Sequence, residues 1–119
     1  MIKNYSEMIS ETKENMRGGA GTATLTHVFK PGEFKGNARL CAKITLEPGC
    51  SIGFHEHIDE EEIYYIISGK AVVACSQDDA GTTLNAGDAS LTLGGESHSI
   101  RNPGPDKLEL LALILTYNS

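Results

Sequence analysis

The sequence predicts an all-β domain, a sandwich or barrel, and three observations carry that prediction. The stretch "RLCAKITL" alternates strictly, with Leu40, Ala42, Ile44 and Leu46 on one face and Arg39, Cys41, Lys43 and Thr45 on the other. That is the pattern of a half-buried strand. Further strand-like runs follow at short intervals, over 51–57, 62–68, 70–76, 82–84, 89–93, 98–101 and 108–117. Turn signals separate many of them: Pro48-Gly49, Ser68-Gly69, Asp79-Ala80-Gly81 and Ala86-Gly87-Asp88. Many short strands at regular spacing, with Gly-rich turns between them, read as a sandwich or barrel. At 119 residues the chain has room for one hydrophobic core.

The first segment stands apart. In "NYSEMISETKENMRGG", Tyr5, Met8, Ile9, Thr12 and Met16 fall at helical spacing, with Arg17 in the last turn and Gly18-Gly19 as a stop. It is expected to form a short amphipathic helix or a docking arm, a strand being the less favoured alternative. The expected division is an arm over 1–22 and one β domain over 23–119. The last strand, "LELLALIL", is apolar on both faces, whereas a strand buried on one side alternates. It therefore runs through the middle of the molecule or is covered by another subunit, and a homodimer is the economical account.

Sixteen carboxylates against ten lysines and arginines give a net charge of -6. That charge would be repelled by nucleic acid and by anionic membrane surfaces, so neither is an expected partner. No apolar stretch follows Met1-Ile2-Lys3-Asn4, and no run approaches the length of a membrane span, so a cytoplasmic location is expected. Cys41, Cys50 and Cys75 are odd in number and have no CxxC spacing. They are expected to be reduced and mostly buried.

The chemistry concentrates in "GCSIGFHEHIDEEEIYYIISG", residues 49–69. Histidines crowded with carboxylates mean a metal site, an acid–base pair or an exposed acidic loop. Residues two apart on a strand share a face, so His55 and His57 project together. Parity favours Glu62 over Glu60 and Glu61 as a third donor, because Glu62 is in phase with Tyr64 and Ile66 at the start of the next strand. His98 opens a distant strand and is the fourth candidate. Asp59, Glu60 and Glu61 read as a solvated loop. Three neutral imidazoles and one carboxylate suit a divalent Fe, Mn, Ni, Co or Zn ion and leave positions for water or substrate.

These residues resemble a known family. The pattern Gly49-x5-His55-x-His57-x4-Glu62-x6-Gly69 matches the first motif of the cupin superfamily at every position. Gly87-x5-Leu93-x-Gly95-x2-His98-x3-Asn102 resembles the second, with Leu93 standing where the family usually has proline. The resemblance covers residues 49–102 and implies a jelly-roll barrel (a double-stranded β-helix) of the conserved-barrel type. It implies a central metal on His55, His57, Glu62 and His98. Tyr64 is the one inward residue with a polar tip beside them, able to position a substrate or to serve only as a core tyrosine. Asn102 is expected to secure its turn.

The function expected is a metal-dependent enzyme acting on a small molecule, with oxygenase-like chemistry placed first. A non-catalytic module that binds or senses a small ligand is the alternative. Arg39, Lys43 and Arg101 fall on the outward phase of their strands, so the pocket is expected to be apolar apart from the ligands and Tyr64. Anion sites usually carry an Arg or Lys fork. A sugar-phosphate isomerase and an oxalate decarboxylase are therefore placed lower, unless Arg17, Lys30 or Lys35 reaches the mouth.

Overall fold

The computed structural model describes residues 1–117, so the last two residues of the expected β domain lie outside the described part. Ten strands form among the described residues: β1 (Ile9–Glu14), β2 (Thr22–His27), β3 (Ala38–Leu46), β4 (Ser51–Glu56), β5 (Glu60–Ser68), β6 (Lys70–Ala74), β7 (Thr82–Asn85), β8 (Ala89–Thr92), β9 (Ser97–Arg101) and β10 (Leu108–Thr116). They make two antiparallel sheets, one in the order β1-β2-β3-β10-β5-β8 and one in the order β4-β9-β6-β7. This is the jelly roll expected from the motifs.

The core lies between the sheets because each strand turns its apolar phase inward. On β3 the buried residues are Ala42, Ile44 and Leu46, and on β10 they are Leu108, Leu110, Ala112 and Ile114. Ile52, Ile66 and Ile100 meet them from β4, β5 and β9. Strand β10 runs between β3 and β5, and its inner face is apolar because it packs in the core between the sheets. Its outer residues Leu111, Leu113 and Leu115 are only half-buried.

Two turns show why glycine stands where it does. Gly69, at φ 85°, lies in the left-handed region, and a Cβ there would meet the Lys107 carbonyl oxygen at 2.5 Å. Asn102 is buried and holds the other turn: its Nδ2 donates to the carbonyls of Leu46 and Asp106, both at 2.8 Å, and its Oδ1 accepts from Gly104 N.

The N-terminal segment departs from the expected helix. It forms two isolated 3-10 turns, Tyr5–Glu7 and Met16–Gly18, flanking strand β1. Six exposed residues form β1, so a helix there would have no apolar stripe to bury and would be marginal alone. The strand instead completes the edge of β2 in the register Ile9↔His27 to Glu14↔Thr22. Cross-strand hydroxyl pairs reinforce it, Ser10 with Thr26 at 2.8 Å and Thr12 with Thr24 at 3.2 Å. Strand β2 gave no separate sequence signal because "TATLTH" mixes small and hydroxyl residues. The cysteines also differ from expectation. Cys41 and Cys50 are half-buried, while Cys75, just past the end of β6, is exposed. No helix among the described residues is long and apolar enough to cross a membrane.

Candidate metal centre

The four candidate donors converge. One ligand atom from each of His55, His57, Glu62 and His98 lies within 4.8 Å of the others. His55 comes from β4, His57 from just beyond its end, Glu62 from β5 and His98 from β9. His55 stands directly opposite His98 in the β4–β9 ladder. Between Ile52 and His55 that ladder shifts by one residue, so both side chains face the interior although they are three apart. Gly53 sits in this bulge, where the turn bearing Arg17 leaves no room for a Cβ.

The spacing fits a metal. His57 Nε2 lies 2.9 Å from Glu62 Oε1 and 3.0 Å from His98 Nε2, and His98 Nε2 lies 3.0 Å from Glu62 Oε1. Donors bound at right angles about 2.1 Å from one ion stand about 3.0 Å apart, so these three atoms match one face of an octahedron. Each histidine is also oriented from behind. His55 Nδ1 donates to the Gly53 carbonyl at 2.7 Å, His57 Nδ1 to Glu60 Oε2 at 2.6 Å, and His98 Nδ1 faces Thr92 Oγ1 at 2.8 Å. A carbonyl can only accept, so the His55 proton sits on Nδ1 and leaves Nε2 free as a ligand.

Comparison with known proteins bears on this geometry. The family description "Cupin domain" matches residues 42–114, more than half of the chain and all four donors. The chain is a cupin. A Thermotoga maritima relative named an oxalate-binding protein is 42% identical over 115 residues, 97% of this chain and 93% of the relative. A crystal structure from Thermotoga maritima, described as a predicted oxalate decarboxylase, superposes with a TM-score of 0.90 at 41% identity, covering 98% of this chain and 99% of the other. A Cupin 2 conserved barrel domain protein from Salinispora arenicola shares the fold, with a TM-score of 0.65 at 20% identity over 87% of this chain and 78% of its own.

Burial tunes the titration of this cupin's site. His57, Glu62 and His98 are 2%, 3% and 0% exposed. Burial pulls the Glu62 carboxyl upward, but hydrogen bonds from His57 and His98 outweigh it, and the net shift is downward. The His57 imidazole is raised, first by its bond to Glu62 and then, against burial, by Glu60. Burial lowers His55, helped by the neighbouring histidines. Burial and the Glu62 charge push the Tyr64 hydroxyl well above its ordinary range, so it stays protonated as a donor. The Tyr64 ring stacks on His98, with centroids 4.9 Å apart and planes 7° from parallel.

Three positioning residues lie outside the motif pattern. Glu60 was expected to be solvated, yet its side chain is 12% exposed. It accepts from His57 and takes two bonds from Arg39, Nε to Oε1 at 2.6 Å and Nη2 to Oε2 at 2.7 Å. Arg39 holds the Glu60 carboxyl down at about 2, with His57 adding to the effect against burial. Thr92 is the third. The i,i+3 spacing of His57 and Glu60 was legible in the sequence; the reach of Arg39 and Thr92 was not.

His55, His57 and Glu62 floor a cavity of about 530 Å³ whose lining departs from the apolar pocket expected. Leu40, Ile44, Ile52 and Ile114 line it as the strand phases require, but so do Glu11, Lys13, Glu14, Arg17 and Arg39. Arg39 was expected to face outward. A bulge changes that: the β3–β10 register passes from Ile114↔Leu40 to Leu115↔Ala38 and leaves Arg39 as the extra residue. Lys13 and Arg17 arrive on the N-terminal segment.

Proposed function

We propose that this cupin binds a small carboxylate ligand on a divalent transition metal, with oxalate, named for its Thermotoga maritima relative, as the type ligand. The observation that carries the reading is the cation-bearing cavity above three histidines and a glutamate whose donor atoms lie at metal-site spacing. His55, His57, Glu62 and His98 would hold the ion, drawn from Fe, Mn, Ni, Co and Zn. A six-coordinate ion on four protein donors keeps two positions, the number a chelating dicarboxylate takes, and it would neutralise and polarise that ligand. Tyr64 lines the same cavity with a protonated hydroxyl, suited to donating to an anionic oxygen. The apolar wall from Leu40, Ile44 and Ile52 limits the water that competes for these contacts.

Turnover of the ligand is the second reading. It is favoured by Glu14 and Tyr64, two groups able to hold or deliver a proton, in the cavity lining. Oxygenase-like chemistry loses its first place, because its ranking rested on a cavity without cations. Titration calorimetry of the metal-loaded protein with oxalate tests the reading, with saturable binding expected and none in the metal-free protein. Equimolar release of formate and carbon dioxide would add decarboxylation, and oxygen uptake would restore the oxygenase. No binding by loaded protein would exclude oxalate as the type ligand.

We further infer that the outer face of the large sheet joins a second copy of the chain. Tyr65, Ile67 and Leu91 stand 46%, 47% and 54% exposed on it. Beside them, an apolar groove of about 240 Å³ runs between Phe29, Phe34, Cys41, Leu113 and Leu115. A ridge and a groove on one face allow the self-complementary contact of a twofold dimer. Light scattering is expected to give twice the chain mass, and Leu113→Asp or Tyr65→Asp to halve it. A monomeric wild type would remove the inference. The three free cysteines accord with a reducing cytoplasm.

A further inference from the structure

The rim of the cavity contains two of the three non-glycine residues with positive φ among the described residues. Asn15 (φ 50°, ψ 45°) and Arg17 (φ 55°, ψ 30°) both occupy the left-handed region although neither is glycine. Such residues persist where their surroundings over-determine them, and they cluster at binding sites. Here the surroundings do so. Asn15 Nδ2 donates to the Gly19 carbonyl at 3.0 Å, and Asn15 N to the Gly21 carbonyl at 2.8 Å. Ala20 and Ser51 tie the segment to β4 through Ala20 N to Ser51 Oγ at 2.8 Å and Ser51 N to the Ala20 carbonyl at 2.9 Å. The Arg17 carbonyl lies so close over Gly53 that no Cβ fits there. The strand that presents His55 thus also fixes the turn that presents Arg17.

Three cations line the cavity, and they are not equivalent. Arg39 is committed to both oxygens of Glu60. The side chains of Lys13 and Arg17 make no hydrogen bond or ion pair among the described residues. Of these two, Arg17 is the one whose backbone is fixed beside the donors, its turn packed against Gly53 of the strand that presents His55, whereas Lys13 lies on the exposed edge strand β1. The rim acids do not consume Arg17: Glu11 pairs with His27 at 3.1 Å, and Glu14 makes no ion pair among the described residues.

We propose that Arg17 is the anion-binding, specificity-determining side chain of this cavity, holding by its guanidinium fork the carboxylate of a ligand bound to the His–Glu group. The assignment rests on the carboxylate reading above. A planar fork with several N–H donors matches a carboxylate in two parallel bonds, which a lysine cannot reproduce. Arg17 would therefore select chelators that present a carboxylate over those of the same size that do not, while contributing nothing to metal retention.

The test is titration calorimetry of the metal-loaded full chain with oxalate and with acetohydroxamate, a chelator of similar size that carries no carboxylate, in wild type, Arg17→Gln, Arg17→Lys and Lys13→Gln. Arg17→Gln is expected to weaken oxalate by roughly 10–100-fold, leaving acetohydroxamate binding and metal content unchanged. Arg17→Lys recovers part of the loss, and Lys13→Gln loses less than Arg17→Gln. Unchanged oxalate affinity in Arg17→Gln beside tight wild-type binding overturns the Arg17 assignment alone. A loss confined to Lys13→Gln overturns it in favour of Lys13. Equal losses for oxalate and acetohydroxamate reduce Arg17 to a structural role. No oxalate binding by loaded wild type overturns the carboxylate reading, and this assignment with it.

Discussion

Replacing His57 and His98 together by alanine is expected to take the bound divalent metal from about one ion per chain to below detection in elemental analysis of untagged protein. The two imidazoles supply two corners of the closely spaced donor triangle, and what remains is Glu62 and the half-buried His55. The change also strips the buried Glu62 carboxylate of both imidazole partners, and breaking a buried charged pair costs about 3–5 kcal/mol. Metal loss must therefore be separated from unfolding, by circular dichroism and by a milder variant. His55→Ala serves, since no hydrogen bond links His55 to Glu62 and its Nδ1 partner is a backbone carbonyl. It is expected to keep the fold and to weaken metal binding by more than the roughly 10–100-fold that loss of an outer partner costs. Wild type that holds no metal after reloading, or a folded double variant that holds as much as wild type, would end the metal reading.

How much of this was legible in the sequence follows from what each signal depends on. The barrel strands were readable because their alternation is a local property: Leu40, Ala42, Ile44 and Leu46 announce a face without knowledge of any neighbour. His55, His57, Glu62 and His98 were readable because strand parity and the spacing of the glycine turns carry them together. The first segment was not, because β1 is held by an unpaired edge of β2 and by hydroxyl pairs, and neither leaves an apolar period. Its weak helical spacing yielded to tertiary pairing. Arg39 was misplaced for a different reason. Parity assumes an unbroken ladder, and one extra residue between Ala38 and Leu40 re-aims the side chain. That single bulge, with the arm that carries Lys13 and Arg17, turned an expected apolar pocket into one lined by cations and so changed the class of ligand favoured.

The Arg39–Glu60–His57 chain makes the last prediction, which concerns pH. In the metal-free protein His57 donates from Nδ1 to Glu60 and faces Glu62 through Nε2, and its pKa is raised above the ordinary 6.5. A metal must displace the proton from Nε2. Apparent affinity is therefore expected to be level well above the raised pKa and to fall by at least about tenfold per pH unit below it, the share owed to the His57 proton. His55, with its lowered pKa, takes up its proton only at lower pH than His57. Glu60→Gln removes one of the charges that raise His57, so metal loss on acidification should begin at lower pH. Above that onset the imidazole is a poorer ligand, and affinity should be about 10–100-fold weaker. Arg39→Gln acts in the opposite sense. Arg39 is the largest cause of the Glu60 carboxyl lying at about 2, and without it the carboxylate's charge acts on His57 alone. The His57 pKa should rise further, and metal loss should begin at higher pH. Competition titrations with a chelator across pH 4–9 read both onsets, and their opposite displacement separates an electrostatic relay from packing. A chain of contacts that only braced the fold would shift both variants the same way.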